Sequence, residues 1–253
     1  MTSTAPSLQD RLAVLIKHPQ FYWWCGHVCV VCNAMLYFMS VMSLNANATY
    51  YKRAYLGALI SYAVVVWNSV RAPKRWSMDI FRNENTQYLA LAFYWYAYHP
   101  ITVTLIPFSI FSIFHTFAYI RSTIIPVFFP ATNRSTINKT CQAIKQLTDE
   151  YHEGAMQLAA YIEVVGIMGR LIVGVALFQT SILALIIFGH FLRLRYFLSP
   201  YTREAMHAAA THLDEWLLPP TADARIPSFI SKIYCNIKGV IVRYGSVTTE
   251  HEE

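Results

Sequence analysis

Residues 85–120 contain no Asp, Glu, Lys or Arg, a run of 36 positions. One straight helix of that length would extend about 54 Å, against a bilayer hydrocarbon core of about 30 Å. The run must therefore tilt steeply or break. His99-Pro100 is the expected break, because proline removes a backbone donor and forces its predecessor out of the helical region. Pro107 offers a second kink. With Arg82 before the run and Arg121 after it, the segment reads as a short, re-entrant hairpin.

Three further stretches repeat the pattern. Phe21 to Leu44 is 24 residues without a charge, and Ala54 to Val70 is 17. A signal peptide is the rival for the first, since Ala46-x-Ala48 resembles a cleavage site, but its apolar core would be only about 7–15 residues. The polar turn Asn45–Thr49 joins the two as a hairpin, closed by the basic cluster Arg71, Lys74 and Arg75. Lys52 and Arg53 then sit near the hairpin tip, snorkelling or marking the far interface. The last apolar region, Gly154 to Leu192, is again too long for one crossing. It carries a polar notch at Gln179-Thr180-Ser181 and closes on Arg193-Leu194-Arg195.

Composition agrees. Charged residues make up 13% of the chain, about half of what a soluble domain carries. A soluble fold of this length lacks the surface charge it would need. The expectation is an all-α, multi-pass integral membrane protein of helical hairpins ending in an amphipathic interfacial helix. Its parts are a cytosolic leader (1–20), a membrane domain (21–196, with apolar segments 21–44, 54–70, 85–120 and 154–192) and a cytosolic tail (197–253). Between them, residues 121–153 are polar and aromatic. A helix is expected there after Ser135 or Thr136, lying on the membrane surface, with Ile137, Cys141, Ile144, Leu147 and Tyr151 at helical spacing.

The net charge of +6 is spread between apolar segments rather than gathered into a run that tracks phosphates, so an anionic lipid surface fits better than nucleic acid. Cys25, Cys29 and Cys32 share one face of an apolar helix, but a metal site needs a fourth ligand and a polar surround. They read as small packing residues, and neither metal nor cofactor is expected. Glu163 and Arg170 are the charges inside the last apolar region. A lone charge at a helix centre costs about 2.5–3.5 kcal/mol on insertion scales. Seven residues apart, the two share a helix face and read as an intramembrane polar pair, with Gly166, Gly169 and Gly174 allowing close helix approach.

The tail is amphipathic twice over. Pro200 to Leu217 aligns Met206, Ala209, Leu213 and Trp216, and Pro219-Pro220 stops it. Beyond it, Ile226, Phe229, Ile230, Ile233, Ile237, Val240, Ile241 and Tyr244 fall within an arc of roughly 120° on a helix. Lys232 and Lys238 lie on the opposite side, with Arg225 and Arg243 near the ends. A narrow apolar face with a basic polar face is the pattern of a helix lying in the bilayer interface.

Tyr51-Lys-Arg-Ala54, Tyr98-His-Pro-Ile-Thr-Val103, Ile113-Phe-His-Thr-Phe-Ala-Tyr119, Phe191-Leu-Arg-Leu-Arg-Tyr196 and Ser199-Pro-Tyr201 occur in an order that resembles the transmembrane protein 33 family. That family includes fungal pore-membrane and tetra-spanning proteins, and the resemblance covers roughly residues 15 to 245. It implies a non-catalytic protein of the endoplasmic reticulum and nuclear envelope. It also implies a part in membrane shaping alongside reticulon-like proteins, and in the organisation or biogenesis of nuclear pore complexes with nucleoporins. In fungal members the tail is associated with membrane and an importin. Members are usually drawn with three or four spans, so three hairpins depart from that description. The alternative function is a small transporter or membrane enzyme using Glu163, Arg170 and histidines such as His99 and His115. No nucleotide loop, metal spacing or nucleophile–base pair accompanies them.

Overall fold

The computed structural model describes residues 7–71, 82–129, 134–218, 229, 231–232, 234–236 and 238–239. Among these, every regular element is helical. Contacts divide the chain into two units, residues 1–170 and 171–253.

In the first unit, α1 (Leu8–Lys17) is started by a capping box. Asp10 N–H donates to Ser7 Oγ, and Ser7 N–H donates to the Asp10 carboxylate, both at 3.2 Å. His18 ends it in extended backbone, and Pro19 opens α2 (Pro19–Met42) at the first helical position, where its missing N–H costs nothing. Leu44, with φ of +56°, turns the chain out of α2. α3 (Ala48–Arg71) then runs back along α2. The two backbones touch at glycines: a Cβ on Gly26 would lie 2.6 Å from the Gly57 carbonyl oxygen, and one on Gly57 would lie 2.6 Å from that of Gly26. Ser61 Oγ bridges the crossing by donating to the Trp23 carbonyl at 2.8 Å.

The long uncharged run breaks between α4 (Glu84–Ala97) and a 3₁₀ turn (Thr102–Thr104) that leads into α5 (Leu105–Tyr119). His99-Pro100 lies in the break. Pro107 makes no kink, because it sits in the first turn of α5, where backbone donors have no intrahelical acceptor to lose. Tyr88 of α4 reaches Phe108 and Phe111 of α5, ring centres 5.6 and 5.4 Å away, while the backbone of α4 packs on α3. α5 runs through a π-turn (Ile120–Ile124) into α6 (Ile125–Phe128). α7 (Arg134–Tyr161) returns along it, with His152 against Phe114 and Cys141 Sγ near the Arg121 carbonyl. A second π-turn (Ile162–Ile167) carries α7 on into α8 (Met168–Ala176). The surface helix expected in 121–153 and the apolar segment beginning at 154 are thus one continuous helix.

Contacts across α2 fix the levels of these helices. Tyr37 near its end bonds Thr102, His27 in its middle meets Ser112, and Arg11 ahead of it donates to the Val127 carbonyl at 2.7 Å. One end of the unit therefore gathers α1, Arg71, Arg121 and the start of α7. The other gathers the α2–α3 turn and the Tyr98–Ile101 break, with Arg170 one turn beyond the contact of Gly166 with Val103. Pro19–Met42, Thr102–Phe128 and Ile137–Ala176 are each long and apolar enough to cross a bilayer. α3 has the length but is more polar, and its Tyr51, Tyr55, Ser61 and Tyr62 are buried.

In the second unit, the Gln179–Ser181 notch precedes α9 (Ile182–Leu198), whose first turn is capped by Ser181 Oγ. Ser199 is held extended by the proline that follows, and Pro200 opens α10 (Pro200–Leu217) at a bend of 116° to α9. Ser199 Oγ caps α10 by accepting from Thr202 N–H.

Candidate membrane-embedded polar core and basic tail

Three polar clusters are buried within the first unit. At the break, the Thr104 hydroxyl donates to the Ile101 carbonyl and accepts from Tyr55 at 2.9 Å and from Tyr51 at 2.8 Å. Tyr37 and Thr102 pair at 3.1 Å beside it. In a bilayer, backbone leaving a helix must find partners inside the protein. These hydroxyls fix the broken segment to α2 and α3.

A second cluster lies midway along α2. His27 Nδ1 lies 3.0 Å from Ser112 Oγ, and its ring is 4.7 Å from those of His115 and Trp23. The third involves Glu163, which is buried in the π-turn and accepts from the Tyr88 hydroxyl at 2.8 Å. Tyr88 in turn stacks on Tyr62, ring centres 5.5 Å apart. Arg170, expected as the partner of Glu163, has its side chain exposed toward the end of the unit. Seven residues place two side chains on one face only in an unbroken α-helix, and the π-turn between them alters that register. Tyr88 is not distinguished in the sequence, because a tyrosine in an apolar run looks like any interfacial aromatic. The signal available was that a carboxylate at this depth requires a donor from a facing helix.

His99 sits at the break against Tyr98, and His115 is directed into the aromatic cluster around Trp23. Among the described residues no group of three His, Cys, Asp or Glu side chains is spaced to hold a metal ion. The cysteines are free, with Cys25 and Cys29 partly covered and Cys32 exposed.

In the tail, α10 buries Thr202 and Ala205 and leaves Leu213 and Trp216 exposed, Trp216 at 73%. Phe229 and Lys232 are also exposed. Lys238 instead meets Asp214: its Nζ donates to Oδ1 at 2.7 Å and to Oδ2 at 2.5 Å, while the Tyr234 hydroxyl donates to Oδ1 at 2.7 Å. These donors hold the Asp214 carboxyl below the usual carboxylate range. Burial, and then the Asp214 carboxylate, push the Tyr234 phenol up to about 12. Asp214 is not marked by the amphipathic pattern of the tail; Tyr234 and Lys238, four residues apart on one helix face, are the signal that a carboxylate lies opposite. Ile226, Ile230, Ile233, Ile237, Val240, Ile241 and Arg243 lie outside the described residues.

The chain aligns along most of its length with fungal membrane proteins. It is 29% identical to Tetra-spanning protein 1 of Schizosaccharomyces pombe, over 94% of this chain and 88% of that one. It is 25% identical to the Pore membrane protein of 33 kDa of Saccharomyces cerevisiae, covering 94% and 87%. With Nucleoporin POM33 of Chaetomium thermophilum the identity is 27%, covering 95% and 91%. No solved structure matches. The family described as Transmembrane protein 33/Nucleoporin POM33 matches residues 4–247, nearly the whole of an all-helical, multi-pass chain, and the protein belongs to that family.

Proposed function

We propose that this protein organises membrane without catalysis in the endoplasmic reticulum and nuclear envelope, shaping the bilayer and contributing to the organisation or biogenesis of nuclear pore complexes. Relatives named as pore membrane, nucleoporin and endoplasmic reticulum proteins support the compartment. The observation that carries the physical part is the 116° bend at Ser199-Pro200. An apolar α9 along the bilayer normal sends α10 close to the membrane plane, with Leu213 and Trp216 available to the interface. A helix inserted about 5–10 Å deep adds area to one leaflet only.

In this reading the three hairpins leave both termini and residues 121–153 on the cytosolic side. The basic tail, with Lys232 and Arg243, adds attraction to anionic lipid, each basic residue contributing about 1 kcal/mol near such a surface. Reticulon-like proteins, nucleoporins and an importin are the partners this role would use. The transporter reading is the weaker one, since Glu163 is engaged by Tyr88 while Arg170 faces outward.

The test is full-length protein carrying Leu213→Asp with Trp216→Asp, expressed at the native level and imaged. The expected result is retention in the endoplasmic reticulum with reduced enrichment at nuclear pores or strongly curved membrane. Unchanged distribution of a stably expressed double variant would sink the proposal.

A further inference from the structure

α2, α3 and the break share one level. Tyr37 of α2 pairs with Thr102 and packs on Tyr51 of α3, ring centres 5.3 Å apart, while Tyr51 donates to Thr104. Counted from Tyr88, which faces Phe108 and Phe111, Ala97 at the end of α4 reaches the same height. α2 continues past that level for five residues, about 7.5 Å, to Met42. The surface there is apolar, with Met39, Met42 and Leu44 55%, 84% and 96% exposed. The other helices turn polar at the same level. Lys52 and Arg53 follow Tyr51 with exposed side chains, His99 is exposed in the break, and Arg170 is exposed one turn beyond the contact of Gly166 with Val103.

The lengths between polar ends differ accordingly. α2 is uncharged over its 24 residues, about 36 Å. Residues 54–70 give α3 17 uncharged positions, about 26 Å. Between Glu153 and Arg170 lie the 16 residues 154–169, about 24 Å, whose one carboxylate, Glu163, is covered by Tyr88. α4 has 14 residues, about 21 Å. It packs on α3 and reaches the Glu163 turn through Tyr88, so the shorter elements are neighbours, and α2 lies on the other side of α3. A tilt shared by packed helices shortens all of them in proportion and leaves the difference. An endoplasmic reticulum bilayer of about 27 Å is thinner than α2 is long and thicker than α4 can span.

We infer that the bilayer is stepped around this unit. Over the arc of α3, α4 and α8 the leaflet at the break is drawn inward, its headgroup phosphates held by Lys52, Arg53 and Arg170; along α2 it keeps its ordinary level. Charge identifies the occupant. Among the described residues of the unit, Asp10 and Glu84 open helices at the opposite end, Asp149, Glu150 and Glu153 lie at least 17 residues before Arg170, and Glu163 accepts from Tyr88. The cations therefore meet no carboxylate at their level, and long basic side chains extend along apolar surface to reach phosphate. As a device for shaping membrane the step rests on the function proposed above: mismatch carries a cost for every ångström, so the protein favours membrane that is already thin or deformed.

The test uses full-length protein in nanodiscs of dioleoyl phosphatidylcholine, which leave both faces open to a membrane-impermeant maleimide. Ala97→Cys, His99→Cys and Met39→Cys are labelled beside wild type, which supplies the background of the five native cysteines. A flat surface lets Met39→Cys, which lies beyond the shared level, react at least as fast as Ala97→Cys. The step reverses that order, with Ala97→Cys and His99→Cys several-fold faster than Met39→Cys, and all three equal once unfolded in dodecyl sulfate. Adding Lys52→Gln, Arg53→Gln and Arg170→Gln should release the leaflet and slow labelling at Ala97→Cys several-fold, with tryptophan emission unchanged. Met39→Cys reacting as fast as Ala97→Cys would overturn the step, and labelling unmoved by the triple substitution would overturn the part given to the cations. Neither readout depends on where the protein sits in a cell, so this test and the imaging of the tail variant fail separately.

Discussion

Replacing Gly26 by alanine tests whether the α2–α3 crossing is held by backbone contact. The new Cβ would lie 2.6 Å from the Gly57 carbonyl oxygen, where ordinary contact begins at 3.4 Å, so the backbones must part by about 0.8 Å in a close-packed interior. It would also displace Ser61 Oγ and with it the 2.8 Å bond to the Trp23 carbonyl, a bond of about 0.6 kcal/mol on average between membrane helices. Overpacking of this kind costs about 1–3 kcal/mol, and alanine returns about 1 kcal/mol of helix propensity. The net expectation is a loss of about 0.6–2.6 kcal/mol. The control is the same substitution at Gly169, where nothing lies within 4 Å, expected to gain about 0.5–1 kcal/mol. Both are measured by titrating the purified protein in mixed micelles with a denaturing detergent and following tryptophan fluorescence. If Gly26→Ala unfolds at or above the wild-type midpoint, or Gly169→Ala falls by a similar amount, glycine proximity is not what fixes this crossing.

Asn133 and Asn138 stand in N-x-S/T acceptor sites, and both should remain unglycosylated in cells, as read by the absence of an endoglycosidase-sensitive mobility shift; modification of either would place residues 121–153 in the lumen. The Asp214 carboxyl sits below its unfolded range, so its contribution to tail packing is present at neutral pH and lost as pH falls through that lowered value. Asp214→Asn should therefore lower the Tyr234 phenol from about 12 toward the ordinary tyrosine range, read by ultraviolet titration against a Tyr234→Phe blank. Tyr88→Phe and Glu163→Gln should couple in a double-mutant cycle by about 0.6–1.7 kcal/mol, measured in the same micelle titration, whereas additive losses would show that their 2.8 Å contact contributes nothing.

The membrane helices were legible where the signal was a run without charge. The ends of α2, the far end of α3 and the break at His99-Pro100 follow from uncharged length, turn chemistry and proline geometry, all local properties, whereas α3 begins at Ala48, six residues before the uncharged run, and takes in Lys52 and Arg53. The joining of residues 134–176 into one helix was not legible. Asp149, Glu150 and Glu153 look like a boundary when charge is read along the chain, whereas on the helix they occupy one face while Ala159 and Ala160 of the next turns are buried. The interior partners were equally hidden. That Thr104 receives Tyr51 and Tyr55, or that Glu163 receives Tyr88, depends on which helices are neighbours. Apolar periodicity does not encode neighbours, because lipid and a facing helix ask for the same side chains.

The polar character of α3 and the shortness of α4 bear on how the chain is made. Emerging alone, α3 offers tyrosines, a serine, Lys52 and Arg53 to a bilayer that gives their polar groups few partners. α4, at 14 residues, is about 21 Å long and falls short of a crossing. Neither is a good substrate for insertion one segment at a time. α3 becomes acceptable to lipid once α2 covers the Gly57–Ser61 face, and α4 once α5 supplies Phe108 and Phe111. The natural unit of biosynthesis is then a pair of helices released together, and the insertion machinery must retain the first member of each pair until the second has been synthesised.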